Sequence, residues 1–264
     1  VDIRTFRGDS IMLNITKGRV AAPILAAIYG VEGVGKTTLA SSLPGALIFD
    51  LEGGAQHYDI ARVVGIATWA DLLAAVKDIC NTPNELHSHG YHTLVFDSLD
   101  AAEQLLLIPY TLKMHGRPNG TLGDFDWGRG YEFEANDFKA FLSACDALLR
   151  CGFNVVFLVH SQQREVNPPD NAPYSHYELK LSKRLCALVK EKVDMLLFAT
   201  YETYLKREGN TNKGQGAKRV LICNHTAYAD AKNRFGLKDK VDMTPSMIAP
   251  YFLVPCTNAK KGGE

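Results

Sequence analysis

Residues 30–38, Gly30-Val31-Glu32-Gly33-Val34-Gly35-Lys36-Thr37-Thr38, decide how the rest of this chain is read. Gly30 to Thr37 fit the pattern G-x-x-x-x-G-K-[ST], with Gly30, Gly35, Lys36 and Thr37 at its defining positions. Glycines let the backbone curl so that its N–H groups converge on phosphate oxygens. Lys36 offers a point charge to β- and γ-phosphates, and the Thr37 hydroxyl is a Mg²⁺ ligand. The helix that follows presents its positive end to the same anion. All nine residues are therefore candidate contacts for a nucleoside triphosphate, ATP, with Mg²⁺. The flanks agree: Pro23 to Gly30 is an apolar run of buried-strand length, and Thr37 to Leu43 is a short helical stretch stopped by Pro44-Gly45.

The bulk properties fit that setting. A chain of 264 residues with 46% hydrophobic and 22% charged side chains is long enough for one α/β domain. A single domain over 1–264 is expected, with a polar lead-in over 1–22 holding at most one edge strand and a frayed tail over 257–264. No apolar run is long enough to cross a bilayer, and the first residues lack a signal-peptide pattern. Six scattered cysteines without a C-x-x-C pair argue against a zinc site or a disulfide framework. A cytoplasmic protein with no membrane role is expected. Net charge is zero but uneven. Residues 181–264 hold 15 Lys and Arg against 8 Asp and Glu, and the remainder holds 14 against 21. A basic C-terminal third suits a polyanion or a neighbouring subunit's nucleotide, and equally a solvated basic face.

Strands and helices alternate along the chain. Ala46–Glu52, Thr93–Asp97, Asn154–His160 and Met195–Thr200 read as buried strands. Helices are expected at Thr68–Cys80, from Ser98 towards Tyr110 with Pro109 limiting its end, at Tyr131–Arg150 and near Ser182–Lys192. Residues 111–130 and 161–175 read as open loops, and Lys206–Arg219 as the turn of a hairpin. Alternation of this kind implies a mostly parallel sheet with helices on both faces and a C-terminal β-hairpin. Ligands then gather at the carboxyl ends of the strands. Gly30, Glu52, Asp97 and His160 each end a predicted strand, so one rim would carry them all.

Those positions match a division of labour. Asp97, a carboxylate closing an apolar strand, suits Mg²⁺, although an acid before Ser98 also suits a helix cap. Glu52, followed by Gly53-Gly54, suits orientation of an attacking water better than Asp50 or Asp100. His160 is either a sensor of the γ-phosphate or a histidine hydrogen-bonded at a strand end. Lys232 and Arg234, one residue apart on an extended segment, point the same way. They are either arginine-finger-type cations for a neighbouring subunit's γ-phosphate or part of a solvated basic hairpin.

Taken together these residues resemble the RecA-like P-loop ATPases. Ala46–Glu52 is similar to the RecA strand ending in Asp-x-Glu, Leu94–Ser98 to its Walker B strand, and Val155–His160 to its sensor strand, with histidine in place of glutamine. Ala231–Gly236 is similar to the Lys-x-Arg finger segment of DnaB-type helicases. The overall pattern most resembles the phage Sak-group single-strand annealing and recombinase ATPases. That resemblance implies a RecA-like P-loop NTPase core whose catalytic set is Lys36, Glu52, His160, Lys232 and Arg234. It implies a homo-oligomer, ring or filament, with nucleotide between subunits on single-stranded DNA, and a single-strand-binding protein as partner. The two DNA-contacting loops of RecA correspond to 111–130 and 161–177. They carry Lys113, Arg117, Trp127 and Arg129 in one and Arg164 and Tyr174 in the other, a mixture suited to backbone tracking and base stacking. A ring helicase of the DnaB kind and a nucleotide-gated interaction module without a DNA role are the competing readings. A small-molecule kinase is a fourth reading without support, because no lid of arginines is evident in this sequence and Glu52 suits water activation better.

Overall fold

The computed structural model describes residues 2–7, 12–18, 20–167, 172–208 and 211–254. In chain order the elements are β1 (Asp2–Arg7), β2 (Met12–Lys17), β3 (Leu25–Gly30), α1 (Lys36–Ser41), β4 (Ala46–Asp50), β5 (Arg62–Val63), α2 (Trp69–Asn81), α3 (Pro83–Ser88), β6 (Thr93–Asp97) and α4 (Leu99–Ala102). They continue with α5 (Ile108–Met114), α6 (Arg129–Arg150), β7 (Asn154–Val166), β8 (Tyr174–Leu179), α7 (Lys183–Lys192), β9 (Met195–Glu208), β10 (Thr211–Ile222), β11 (Lys232–Asn233), β12 (Lys240–Asp242) and α8 (Pro245–Ile248).

One sheet organises most of the chain, in the order β12-β10-β9-β3-β7-β6-β4-β5. Strands β9, β3, β7, β6, β4 and β5 run parallel, while β10, β11 and β12 join antiparallel beyond β9. The P-loop strand β3 thus lies between β7 and β9, and β7 separates it from β6. Register aligns the strand ends: Gly30 stands beside His160 and Ala199, and Asp97 beside Asp50 and Leu158. The predicted α/β fold, a mostly parallel P-loop core with a C-terminal hairpin, is the fold observed.

Side-chain alternation along each strand builds two cores, one per face. Leu25, Ala27 and Tyr29 of β3 join Trp69, Phe96, Phe138, Phe141 and Leu185 beneath α2, α6 and α7. Ala26 and Ile28 join Val95, Leu158, Leu197 and Leu221 beneath α1, with Ile248 and Phe252 completing that face. Helix α2 starts where the sequence shows it, since Thr68 and Asp71 form a reciprocal capping box. Gly30 is required by packing: a Cβ there would collide with the Ala199 carbonyl oxygen of β9.

Five sequence expectations need correction. Lys206–Arg219 is not the turn of the hairpin: β9 runs on to Glu208 and β10 starts at Thr211, so most of that stretch is paired strand. The helix after Asp97 does not end at Pro109; Glu103–Leu107 widen into a π-helical turn and α5 carries on to Met114. The wide turn resets the hydrogen-bond ladder, so Pro109 falls in the first turn of a new α-segment, where a missing N–H costs nothing. The segment 161–175 is not an open loop: β7 continues to Val166 and pairs antiparallel with β8. Residues 111–130 open inside α5 and then close into short turns at Leu122–Asp124 and Asp126–Gly128. The lead-in holds two strands rather than one, with β1 and β2 paired in a separate sheet. The predicted tail at 257–264 lies outside the described residues.

Candidate nucleotide site

The carboxyl ends of β3, β4, β6 and β7 converge on a cleft of about 300 Å³ lined by Gly33, Gly35, Lys36, Thr37, Thr38, Glu52, Tyr58, Asp97, His160 and Arg219. The P-loop wraps one side of it. Gly35 sits at φ +97°, a conformation that glycine alone adopts without strain, and it launches α1. Lys36 is buried, and its Nζ donates to the carbonyls of Gly30 at 3.0 Å and Val31 at 3.1 Å. Burial lowers its pKa, opposed by the charges of Asp97, Asp100 and Glu52.

Below the loop the Thr37 hydroxyl donates to Asp97 Oδ2 at 2.6 Å. Asp97 is buried, and burial raises its pKa while the Thr37 bond pulls the other way. A hydroxyl and a carboxylate side by side are hard oxygen donors of the kind Mg²⁺ takes when phosphates and water complete its shell. Among the described residues no group of three or more His, Cys, Asp and Glu side chains could hold a metal by itself.

Hydrogen bonding sorts the other acids. Asp50 accepts from the N–H groups of Gly53 at 2.8 Å, Gly54 at 3.1 Å and Ala55 at 3.0 Å, so its carboxylate is consumed in shaping the turn. The same turn leaves Glu52 exposed at the mouth of the cleft, its N–H bonded to the Asp97 carbonyl at 3.3 Å. Asp100 is buried and engages His160 twice, accepting from the backbone N–H at 3.0 Å and pairing with Nδ1 at 2.9 Å. These bonds raise the His160 pKa; burial would push the Asp100 carboxyl up, yet the His160 bonds hold it low. With Nδ1 turned to Asp100, His160 has Nε2 left for the cleft.

Lys232 and Arg234 are not at this rim. Strand β11 pairs with Met195 and Leu196 at the start of β9, whereas the P-loop lies level with Ala199. Lys232 Nζ donates to the carbonyls of Lys190 and Glu191 at the end of α7, and Arg234 pairs with Asp194 at 2.8 Å. Neither cation faces the cleft of its own chain.

The proposed DNA residues fall into two groups. Arg117 stacks on Phe125 at 5.2 Å and Arg129 on Phe133 at 5.3 Å, within a layer completed by His115 on Phe133 at 3.8 Å. Lys113 is exposed on the last turn of α5, and Trp127 is fully exposed at φ +56°. On the β7–β8 pair, Arg164 bonds Glu178 at 3.0 Å and Tyr174 is exposed. The two segments border one cavity of about 610 Å³, lined by Thr121, Tyr131, Gln162 and Lys180 with the buried acids Glu103 and Glu134.

Sequence reading missed Arg219 and Asp100's partnership with His160. Counting sheet alternation from Leu221 would have found Arg219, which lies on the α1 face two residues earlier; the second needs the packed structure.

A family model described as an AAA domain matches residues 22–235, a span that includes every residue of the cleft, and the chain belongs to that family. Among solved structures, the crystal structure of the RadB recombinase aligns with 86% of this chain and 90% of its own, at 12% identity and a TM-score of 0.42. No curated protein matches the sequence.

Proposed function

We propose that this AAA-family chain binds and hydrolyses ATP with Mg²⁺ and assembles on single-stranded DNA as a RecA-like protein that promotes annealing or strand exchange. The observation that carries the ATPase reading is the convergence, at one strand rim, of buried Lys36, the Thr37–Asp97 pair and an unconsumed carboxylate, Glu52. In this reading the P-loop N–H groups and Lys36 bind the β- and γ-phosphates, and Thr37 and Asp97 hold the cation. A bound Mg²⁺ neutralises charge on the phosphate oxygens. Glu52 orients and polarises the attacking water. His160, fixed by Asp100, hydrogen-bonds towards the γ-phosphate.

Coupling to DNA follows from continuity of the backbone. Strand β7 runs without a break from His160 in the cleft to Val166, so the residue beside the phosphates and the arm that carries Arg164 are one rigid element. That arm and the 111–130 segment border a common cavity, and Trp127 offers an exposed stacking face. Lys232 and Arg234 lie away from their own cleft and would serve a neighbouring subunit's nucleotide, in a ring or filament of single-domain subunits, by exchanging their bonds to the α7 carbonyls and Asp194.

Steady-state hydrolysis by Glu52→Gln and Lys36→Ala tests the assignment. Glu52→Gln should lower kcat roughly 10²–10⁴-fold while nucleotide binding persists. Lys36→Ala should lose both. A Glu52→Gln protein that turns over at the wild-type rate removes the water-activating role from Glu52.

A further inference from the structure

A triphosphate is strongly anionic and the cleft is also lined by Glu52 and Asp97, so a cation beside Lys36 and the Mg²⁺ would favour its binding. We propose that Arg219 is a nucleotide-binding residue of its own chain, a cation that closes over the P-loop from the adjacent hairpin. The proposal rests on the ATP reading above and adds to it a contact on the chain's own side of the nucleotide.

Three observations carry it. The first is position. Arg219 lines the cleft together with Lys36, Thr37 and Thr38, and its Nη1 lies 2.8 Å from where a Cβ on Gly35 would stand. On its far side it lines a recess of about 100 Å³ with Thr38, Ser42, Met243 and Pro245, so the guanidinium sits on the boundary between the two spaces. The second is support. Arg219 is opposite Tyr201 in the β9–β10 register, so both side chains leave the same face of the sheet. Tyr201 donates its hydroxyl to the Gly33 carbonyl at 3.2 Å, which ties the hairpin base to the P-loop. The Arg219 carbonyl accepts from Met243 N–H at 3.1 Å, and a bulge between Gln215 and Lys218 lies just beyond. Bulges of this kind re-aim the side chains beside them.

The third observation is availability. Lys218, on the opposite sheet face, pairs with Asp242 at 2.7 Å. Among the described residues no hydrogen bond or ion pair engages the Arg219 guanidinium. A planar fork of five donors held beside a phosphate-binding loop matches phosphate oxygens in geometry and in charge. Lys232 and Arg234, by contrast, are engaged at the opposite strand ends. Arg219 would therefore add a second cation beside Lys36 on the chain's own side of the nucleotide, separate from the Lys232 and Arg234 pair.

The test is titration of a fluorescent ATP analogue with Mg²⁺ into dilute protein, at low and high salt, for wild type, Arg219→Ala, Arg219→Lys, Arg219→Gln and Lys77→Ala, the last removing an exposed cation of α2 that does not line the cleft. The expected result is at least tenfold weaker binding for Arg219→Ala, partial recovery for Arg219→Lys, no change for Lys77→Ala, and a smaller Arg219→Ala effect at high salt. Melting temperatures accompany each titration; should Arg219→Ala melt early, the near-isosteric Arg219→Gln carries the comparison. Binding by the folded Arg219 variants within twofold of wild type overturns the assignment. A wild-type protein that binds no nucleotide overturns the ATP site itself, a separate outcome.

Discussion

Three carboxylates, Asp50, Glu52 and Asp100, lie at or just after strands that end beside the phosphate-binding loop, and their hydrogen bonds set them apart. Asp50 builds the turn, Asp100 holds His160, and Glu52 stays exposed. The sequence favoured Glu52 over Asp50 and Asp100, and the structure shows the latter two engaged in hydrogen bonds of their own. Titration exposes the Asp100–His160 pair. His160, with a raised pKa, adds stability that is complete below its ordinary value and is lost as pH rises through its folded value. Asp100, with a lowered pKa, adds stability present above the ordinary carboxylate value and lost as pH falls through its folded value. The pair therefore contributes most between about pH 4 and pH 6.5. Asp100→Asn should move the His160 titration midpoint downward when followed by NMR of the imidazole. An unmoved midpoint would mean that the pair is not formed in solution. Arg219 escapes the sequence reading because Lys206–Arg219 reads as a turn, where the strand alternation that places Arg219 on the face of Leu221 is not counted.

Among the elements, legibility followed hydrogen-bond locality. Helix α2 declared its start through Thr68 and Asp71, three residues apart in one cap. Strands β3, β4 and β6 declared themselves as apolar runs, the first closed by Gly30 and the other two by Asp50 and Asp97. The β7–β8 arm did not, because its outer half carries Gln162, Gln163 and Arg164, polar residues whose pairing is set by a partner strand rather than by their own pattern. The π-turn at Glu103–Leu107 was equally hidden, and it delivers Glu103 to Glu134 in the interior. Ser182 caps this pair, its N–H donating to Glu103 at 2.8 Å and its hydroxyl to Glu134 at 3.2 Å. Burial, reinforced by the neighbouring Glu103, pushes the Glu134 carboxyl up to about 8. A carboxyl raised in the folded state favours folding at low pH, and that advantage is lost as pH rises from about 4.5 to about 8. Glu134→Gln should flatten this dependence and raise Tm at pH 8.5 by on the order of 5 °C. An unchanged or lowered Tm there would show that ionised Glu134 is well accommodated.

At the scale of the whole molecule, the placement of cations suggests how copies would meet. Arg219 faces inward over its own P-loop, while Lys232 stands level with Leu196, about 10 Å back along β9 from the P-loop level at Ala199, and Arg234 lies beyond it towards the other strand ends. Their Lys-x-Arg spacing was readable in the sequence, but which end of the sheet they occupy was not, because β11 is only two residues long. If they serve a neighbour's nucleotide, Arg234→Ala should spare ATP binding by the monomer and lower turnover roughly 10³-fold at concentrations where subunits associate. Normal turnover at high concentration would remove Arg234 from the reaction.

In the proposed function β7 joins the ATP site to an arm that would contact DNA, and steady-state hydrolysis by the wild-type protein, with and without a long single-stranded oligonucleotide at two salt concentrations, tests that junction directly. Hydrolysis should rise with DNA at low salt, and the stimulation should fade at high salt as phosphate contacts weaken. A rate that ignores DNA at both salt concentrations would contradict the coupling and leave a nucleotide-gated interaction module as the better description.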